Sequence, residues 1–201
     1  MPPTIANDQS AFGRHAPGKF VARVLALTRN CPSSWSGKRR AFFLRGLAVR
    51  ALGGRPLDVE TLGARMRLYP YNNVYFDEAE RAFLAARVRP DFVFIDIGAN
   101  VGGYTLFVAA LAGPRARVLA IEPQPEIFER LVYNIRQNSF PSVKALNCAV
   151  ADRDGEITLF VAPRNRGETS MRIVNSEEGG VEIRAPAAKR SRLGVNVSGS
   201  P

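Results

Sequence analysis

Histidine and cysteine are scarce in this sequence of 201 residues. The single histidine, His15, lies in a polar stretch near the N-terminus, and the cysteines Cys31 and Cys148 have no CxxC spacing. Structural zinc sites and histidine-based catalytic triads need more of these side chains than the sequence offers. We therefore predict no metal site and no histidine base inside the fold. Because isolated cysteines cannot form a disulfide framework, we expect reduced thiols in a cytoplasmic protein.

Long hydrophobic runs are also lacking. A membrane-spanning helix needs about 18 or more consecutive apolar residues, and no stretch of the sequence approaches that length. The best candidate for a signal peptide, residues 20–28, is short, contains Arg23 and has no cleavage site after it. We therefore expect neither a transmembrane segment nor a secretory signal.

Acidic residues are too few to balance the basic ones, and the formal net charge is +10. The excess lies at the two ends, because residues 1–55 carry +9 and residues 182–201 carry +3, whereas residues 56–181 carry −2. A basic terminus can contact RNA or anionic lipid. No nucleic-acid-binding module is recognisable, however, so we predict no specific nucleic-acid partner.

Two basic helices are predicted in the N-terminal region, over residues 18–29 and 37–52. The second has an apolar face and several arginines, which leaves two interpretations open. One is weak contact with a membrane surface, and the other is packing within the protein. We expect residues 1–17 to be disordered and residues 18–90 to form a basic extension of helices and a hairpin.

The rest of this extension contains a hairpin and a third helix. Residues 57–70 indicate a short hairpin that turns at Gly63. Residues 77–88 have a helical pattern, with Asp77 as the N-cap.

From residue 92 onward, strand-like and helical patterns alternate. Three apolar runs are typical of strands buried on both faces: residues 92–97, 117–122 and 143–150. Helical patterns over residues 103–112 and 125–138 separate them. This order predicts an α/β fold with a parallel, doubly wound sheet and right-handed crossovers. A turn at residues 152–155 then leads into an extended segment that we expect to pair locally.

A glycine-rich loop follows the first predicted strand. Asp96 closes that strand, and residues 98–103 contain three glycines before the next helix begins. Glu122 closes the second strand, where a carboxylate can accept hydrogen bonds from ribose hydroxyls. Glycines also serve tight strand-to-helix turns, but ligands of doubly wound sheets bind at this edge. The loop and the acid together therefore predict a nucleoside cofactor.

The spacing of the loop favours one cofactor over another. The dinucleotide fingerprint G-x-G-x-x-G needs a second glycine beside the pyrophosphate, and Asn100 occupies that position. S-adenosylmethionine has no pyrophosphate, and its ammonium group suits a nearby carboxylate such as Asp96. Its own carboxylate suits the N–H groups of the loop and of the helix N-terminus. The residues therefore favour S-adenosylmethionine over NAD.

Three blocks carry a more specific likeness: FVFIDIGANVGGYTLF, LAIEPQPEIFERLVYNI and ALNCAVADRDGEITLFVAP. They resemble the FkbM-type S-adenosylmethionine-dependent methyltransferases, a class I Rossmann-like family, over about residues 91–171. The resemblance implies that four residues line the methionine end of the cofactor: Asp96, Gly98, Asn100 and Gly102. It further implies that Glu122 binds ribose and that Asp152 lies near adenine, although Asp152 equally suits a turn.

The activity implied by this resemblance is methyl transfer, commonly to a hydroxyl oxygen of a sugar or secondary metabolite. The acceptor would thus be a small molecule or glycan, and the sequence identifies no catalytic base. Two alternatives stay open. One is an NAD-binding oxidoreductase fragment, and the other is a non-catalytic protein that binds a nucleotide or a partner.

The likeness covers the N-terminal half of the family's sheet. We therefore expect residues 91–175 to form a partial domain, residues 176–201 to be a disordered tail, and the first strand to have an uncovered edge. The change in composition near residue 190 suggests a truncated member with a shifted reading frame. Resequencing of the gene downstream tests that hypothesis.

Overall fold

A computed structural model describes residues 9–29, 35–53, 55–69, 78–161, 169–170 and 181–193. The chain forms two compact units. The first comprises Met1–Glu60 with Met66–Pro70, and the second comprises Thr61–Arg65 with Tyr71–Pro201.

The N-terminal region forms two helices and a hairpin, as predicted. In chain order these are α1 (Lys19–Arg29), α2 (Trp35–Leu52), β1 (Leu57–Thr61) and β2 (Ala64–Leu68). Leu62 and Gly63 turn the hairpin with positive φ angles of 55° and 77°, and Gly63 adopts such an angle without the steric cost of a Cβ atom. The core of the first unit is apolar and includes Val21 and Val24 of α1 and Ala48 of α2.

Residues 9–17 are ordered, which corrects the prediction of a disordered start for this part of the chain. The Asp58 carboxylate accepts the backbone N–H groups of Gly13 at 2.8 Å and His15 at 3.1 Å. Arg67 donates to the same carboxylate at 2.6 Å and also to Ser10. Both charged side chains are buried, and a buried charge needs such partners. These long-range bonds hold the segment in place, and nothing local in the sequence indicates them.

The second unit contains a parallel three-stranded sheet in the order β3-β4-β5. Its elements in chain order are α3 (Glu78–Arg87), β3 (Val93–Ile97), α4 (Gly103–Ala112), β4 (Arg117–Ile121), α5 (Pro125–Arg136) and β5 (Val143–Leu146). The prediction of a Rossmann-like α/β fold is confirmed, together with the individual helices. The predicted N-cap, Asp77, lies outside the described residues.

The helices form where the sequence has small or periodic apolar side chains. Pro125 begins α5, where its missing N–H has no intrahelical partner in any case. Leu131 of α5 and Ala120 of β4 are fully buried in the same hydrophobic cluster. Val108 of α4 and Val118 of β4 belong to a second buried cluster. Both crossover helices therefore bury an apolar face on the sheet.

Strand β3 is far more exposed to solvent than we predicted, since the sequence indicated burial on both faces. Val93 is 53 % exposed and Ile97 is 58 % exposed, whereas Ala120 and Ile121 of β4 are buried. The reason is position, because β3 pairs with β4 on one side and lies at the edge of the sheet that the described residues form. An apolar run indicates a strand, but it does not say what covers it.

The third predicted strand, residues 143–150, divides into β5 and a separate short strand, β6 (Ala149–Ala151). Asn147 lies at the break, and its side-chain amide donates to the carbonyl oxygens of Glu122 at 2.8 Å and Pro123 at 3.1 Å. The chain thus leaves the β4 pairing after Leu146, and β6 pairs elsewhere.

A second sheet of four strands has the order β6-β9-β7-β8. Besides β6 it contains β7 (Gly155–Val161), β8 (Thr169–Ser170) and β9 (Val181–Lys189), followed by a 3-10 helix at Arg190–Leu193. Residues 181–193 are therefore structured, which corrects the prediction of a disordered tail for this segment. Ala185 and Ala187 are buried at alternate positions of β9. Small side chains in this period-two pattern gave a weak hydrophobic signal.

No helix in the described ranges is long and apolar enough to cross a membrane.

Candidate functional site

The glycine loop between β3 and α4 turns through left-handed backbone conformations. Gly98, Asn100 and Gly102 have φ angles of 79°, 50° and 96°. Asparagine tolerates this region better than most non-glycine residues. The Asn100 side-chain oxygen also accepts the N–H of Val101 at 2.8 Å. Asn100 therefore adopts the left-handed backbone conformation that a glycine would otherwise supply here, but it keeps a side chain at that position.

Gly102 has a packing role in addition to its backbone conformation. A Cβ atom at this position would lie 2.8 Å from Cδ1 of Leu131, which is a clash with the buried side chain of α5. A Cβ atom at Gly98 would meet nothing within 4 Å. Of these two glycines, Gly102 thus sets the close approach of α4 to α5, and Gly98 has open space beside it.

Glu122 joins the end of β4 to the loop. Its Oε2 atom accepts the backbone N–H of Asn100 at 2.9 Å, and its Oε1 atom accepts the N–H of Gln124 at 2.9 Å. Only 6 % of the residue is exposed. Each oxygen of a carboxylate has two lone pairs, so each retains the capacity to accept a further donor such as a ribose hydroxyl.

Asp96 lies at the end of β3 and accepts the Thr105 hydroxyl at 2.6 Å. Burial raises the pKa of Asp96 above its ordinary value, although the hydrogen bonds from Thr105 act in the opposite direction. Burial also raises the pKa of Glu122, and the nearby charge of Asp96 adds to that increase. The site therefore holds two carboxylates that repel each other, and a cation bound between them would relieve the repulsion.

Several polar residues that the sequence analysis did not single out hold this arrangement in place. Thr105 is fully buried beside Asp96. The Asn134 amide donates to the Val101 carbonyl at 2.9 Å from a buried position on α5. The side-chain amide of Asn147, the residue after β5, donates to the carbonyl oxygen of Glu122 and so fixes its backbone. A polar residue on an otherwise apolar helix face is the signal that could have identified Asn134.

A pocket of about 520 Å³ opens beside the loop, between α3, β3 and α4. Asp96 lines it together with Glu80 of α3 and Tyr104 of α4. The Tyr104 hydroxyl donates a hydrogen bond to the Glu80 carboxylate. The remaining lining is apolar: Ala79, Phe83, Leu84 and Phe94. The pocket therefore adjoins the loop through Asp96 and has the volume of a small-molecule site.

The structure brings together five of the six predicted site residues: Asp96, Gly98, Asn100, Gly102 and Glu122. The sixth, Asp152, is exposed in the turn between β6 and β7. That placement suits its interpretation as a turn residue. Within the described part of the chain, no group of three or more His, Cys, Asp and Glu side chains is arranged to hold a metal ion.

Comparison with known proteins yields one family match. The family described as the methyltransferase FkbM domain matches residues 96–197, about half of the chain. The matched range contains the loop, Glu122 and all of β9. It thus extends beyond residue 175, where the sequence analysis ended the domain.

Two curated proteins are similar in sequence. The AMB antimetabolite synthetase AmbE of Pseudomonas aeruginosa is 35 % identical over 160 residues, which is 79 % of this chain and 7 % of that protein. The methyltransferase sdnD of Sordaria araneosa is 32 % identical over 78 residues, which is 38 % of this chain and 30 % of that protein. The chain therefore spans less than a third of either relative.

Among solved structures, P. horikoshii TYW2 in complex with MeSAdo is 20 % identical, with a TM-score of 0.39 and coverage of 64 % of each chain. The family match confirms the family predicted from the three sequence blocks, and with it S-adenosylmethionine as the cofactor of that family. The chain belongs to the methyltransferase FkbM domain family.

Proposed function

We propose that this chain binds S-adenosylmethionine at the β3–α4 loop and serves as the cofactor-binding part of a methyltransferase. The acceptor that we propose is a hydroxyl oxygen of a sugar or another small molecule. The observation that carries the proposal is the pairing of Glu122 with the loop N–H of Asn100. It places a buried carboxylate with spare lone pairs beside the N-terminus of α4, within the residues that match the family.

The residues of the loop suit the different parts of this cofactor. Glu122 would accept the ribose hydroxyls through the lone pairs that its backbone contacts leave over. The N–H groups in the first turn of α4 have no intrahelical acceptors. That of Thr105 donates to Asp96, and the others would bind the cofactor carboxylate. Asp96 would attract the ammonium group. Asn100 fills the slot that a pyrophosphate needs, and this supports S-adenosylmethionine over NAD.

When bound, S-adenosylmethionine supplies a methyl group that its sulfonium makes electrophilic. The role that we propose for this chain is to hold the cofactor rigidly, because methyl transfer depends on close and aligned reactants. Glu122 anchors the loop to the sheet, and Gly102 and Leu131 lock the beginning of α4 against α5.

Binding and catalysis are therefore tested separately. Isothermal titration of the purified chain with S-adenosylmethionine, and in parallel with NAD, tests the cofactor. We expect saturable heat with the first and none with the second. Transfer of a radiolabelled methyl group to a mixture of sugars and phenols then tests the acceptor. Label in a sugar or phenol product would support the proposed hydroxyl acceptor, and label in none of these compounds would contradict it.

We also propose a reducing, cytoplasmic environment. Cys148 is a free, buried cysteine, and burial raises the pKa of its thiol. A neutral, enclosed thiol is a poor partner for disulfide exchange. Cys31 lies outside the described residues. Titration of the native chain with a thiol reagent should leave Cys148 unmodified until the protein unfolds.

Weak contact of the basic N-terminal helices with anionic membrane surfaces is a further part of the proposal. On α1, Phe20 is 61 % exposed and Leu27 is 50 % exposed, seven positions apart on one helix face. Arg23 lies between them and is exposed as well. Sedimentation with phosphatidylserine vesicles, compared with phosphatidylcholine vesicles, tests this contact. Equal binding to both, or to neither, would contradict it.

A further inference from the structure

The side chain of Asn138, just beyond the end of α5, joins that helix to the hairpin turn, residues Thr61–Arg65. Its Oδ1 atom accepts the backbone N–H of Arg65 at 2.8 Å, and its Nδ2 atom donates to the Arg65 carbonyl at 2.9 Å. Nδ2 also donates to the carbonyl of Asn134 at 2.7 Å. Both hydrogens and the oxygen of the amide are therefore engaged, so the orientation of the side chain is fixed by all of its partners together.

The hairpin turn also packs against α4. A Cβ atom on Gly63 would lie 3.2 Å from the Cβ atom of Ala110, which is tighter than ordinary van der Waals contact. Leu62 packs against the buried cluster that α4 forms with β4. All of these contacts lie within the second unit, to which Thr61–Arg65 belongs. The turn therefore contacts both α4 and the end of α5, the two helices that meet at Gly102.

Asn134 extends this connection to the cofactor loop. Its side chain lies in the last turn of α5, is fully buried, and donates to the Val101 carbonyl at 2.9 Å. The N–H of Val101 donates to the side chain of Asn100, whose own N–H donates to Glu122 at 2.9 Å. A continuous series of hydrogen-bonded residues thus runs from Arg65 in the hairpin turn to Glu122.

The need to complete a helix end accounts for only part of this arrangement. The last carbonyl groups of a helix lack intrahelical donors, and Asn138 supplies one to Asn134. The two bonds to Arg65 serve a segment 73 positions away in sequence and contribute nothing to the helix end. Asn134 places its amide in a fully buried position, where a polar group costs stability unless it is hydrogen-bonded. The two asparagines therefore connect the hairpin turn, α5 and the loop.

We propose that Asn138 is a positioning residue for the cofactor loop. It holds the hairpin turn against the end of α5, and Asn134 carries that constraint to Val101. The consequence for the cofactor rests on the proposed function, because a loop that is already ordered binds S-adenosylmethionine without the cost of being fixed. Coupling between two sites is reciprocal, so the bound cofactor in turn holds the hairpin turn in place.

The first arm of the test uses Asn138→Ala in the ligand-free chain, with amide hydrogen exchange followed by NMR. Exchange at Val101 and Gly102 should become faster by about fivefold or more. The amides of the central strand β4 report the global stability, and they should be accelerated less than those of the loop. A residue with a purely structural role would accelerate both groups equally.

The second arm measures the coupling to the cofactor by isothermal titration with S-adenosylmethionine. Asn138→Ala and Asn134→Leu should each raise the Kd by about threefold to tenfold. The double variant should bind no more weakly than the weaker of the two single variants, because both substitutions break the same connection.

The third arm measures the coupling in the reverse direction. Saturating S-adenosylmethionine should slow hydrogen exchange at the Arg65 amide in the wild type, because Arg65 is held by Asn138. The same addition should leave that amide unaffected in Asn134→Leu. The wild-type measurement needs no variant, so it decides the proposal even if a substitution prevents folding.

Two substitutions serve as controls. The hydrogen bond of Gln137 to Tyr133 is made by its backbone N–H, which Gln137→Ala retains. Glu156 is exposed on β7 and pairs only loosely with Arg184, at 4.0 Å, so Glu156→Gln changes a polar side chain away from the loop. Both controls should leave the Kd and the exchange at Val101 unchanged.

The proposal is overturned if Asn138→Ala accelerates exchange in the loop no more than in β4. It is equally overturned if the wild type binds S-adenosylmethionine and exchange at the Arg65 amide does not slow. Failure of a folded wild-type chain to bind S-adenosylmethionine would instead reject the proposed function. The exchange rates of the ligand-free chain would then still decide whether Asn138 positions the loop.

Discussion

The carboxylate of Glu122 and the backbone N–H of Asn100 meet at 2.9 Å, across 22 positions of sequence. This bond ties the end of β4 to the loop that follows β3. The same carboxylate accepts the N–H of Gln124 through its other oxygen. Glu122 thus shapes the loop before any ligand arrives, and its predicted contact with ribose would be added to that structural role.

Glu122→Gln should damage the loop and the cofactor site together. An amide has one acceptor oxygen, so it can satisfy only one of the two N–H groups, and its own NH₂ group opposes the other. Leaving a buried donor unpaired costs about 1–3 kcal/mol. Hydrogen exchange should become faster at Asn100 or Gln124, and the affinity for S-adenosylmethionine should fall about tenfold or more. Unchanged exchange at both amides would contradict this account of the loop.

Gly102→Ala should destabilise the fold more than Gly98→Ala. Both substitutions place a Cβ atom in a left-handed conformation, at a cost of about 1–2 kcal/mol. Only the first also drives that atom to 2.8 Å from Leu131, and overpacking of this kind adds about 1–3 kcal/mol. The free energy of unfolding, from urea titration, should follow that order. Equal losses would mean that the loop moves away from α5 without resistance.

Asp96→Asn should stabilise the chain at neutral pH while it weakens the binding of a cation. The pKa of Asp96 is raised in the folded state, so the folded protein binds that proton more tightly than the unfolded chain does. Its contribution to stability is therefore present below the ordinary carboxyl pKa of about 4 and is lost as the pH rises through the folded value.

Asp96→Asn removes the titrating carboxyl group, and with it the loss of stability that accompanies a rise in pH. The asparagine oxygen still provides an acceptor for the Thr105 hydroxyl. The free energy of unfolding of the variant should exceed that of the wild type by more at pH 7 than at acid pH, in matched urea titrations. A difference independent of pH would contradict the raised pKa. Loss of stability with retained cofactor affinity would assign Asp96 a purely structural role.

Breaking the buried pair of Asp58 and Arg67 should release the segment that contains Gly13 and His15. Burial works to raise the pKa of Asp58, but the hydrogen bonds from Arg67, His15 and Gly13 outweigh it and lower the pKa. The resulting stability is present above pH 4 or so and is lost as the pH falls through the folded pKa.

Arg67→Met leaves the Asp58 charge buried and without its ion-pair partner, at a cost of about 3–5 kcal/mol. Replacement of both residues by apolar ones should recover only part of that loss, because the N–H groups of Gly13 and His15 then lose their acceptor. Thermal unfolding of Arg67→Met, Asp58→Leu and the double variant measures the coupling. Strict additivity of the two single effects would show that the pair does not act as a unit.

The local elements of this chain could be predicted from the sequence because their signals are local. The apolar stripe of α5 and the glycines around Asn100 each lie within a short window. The position of β9 depends instead on pairing with β7 and β6, and its inward residues Ala185 and Ala187 are too small to give a strong pattern. A short window of sequence does not show which weakly apolar segments pair with each other over a long range.

The candidate site was predictable to a similar extent. The loop and Glu122 were found because they end consecutive parallel strands, whose carboxyl ends meet at one edge. The pocket was not found, because Glu80 and Tyr104 come from α3 and α4 and meet only through packing. The break at Asn147 was hidden for the same reason, since its partners Glu122 and Pro123 are distant in sequence.

The most direct test of the central claim is isothermal titration of the wild-type chain and of Glu122→Gln with S-adenosylmethionine, with Glu156→Gln as the control. The account predicts saturable binding to the wild type and to the control, and about tenfold or weaker binding to Glu122→Gln. Absence of binding to a cooperatively folded wild-type chain, or equal affinity of all three proteins, would contradict it.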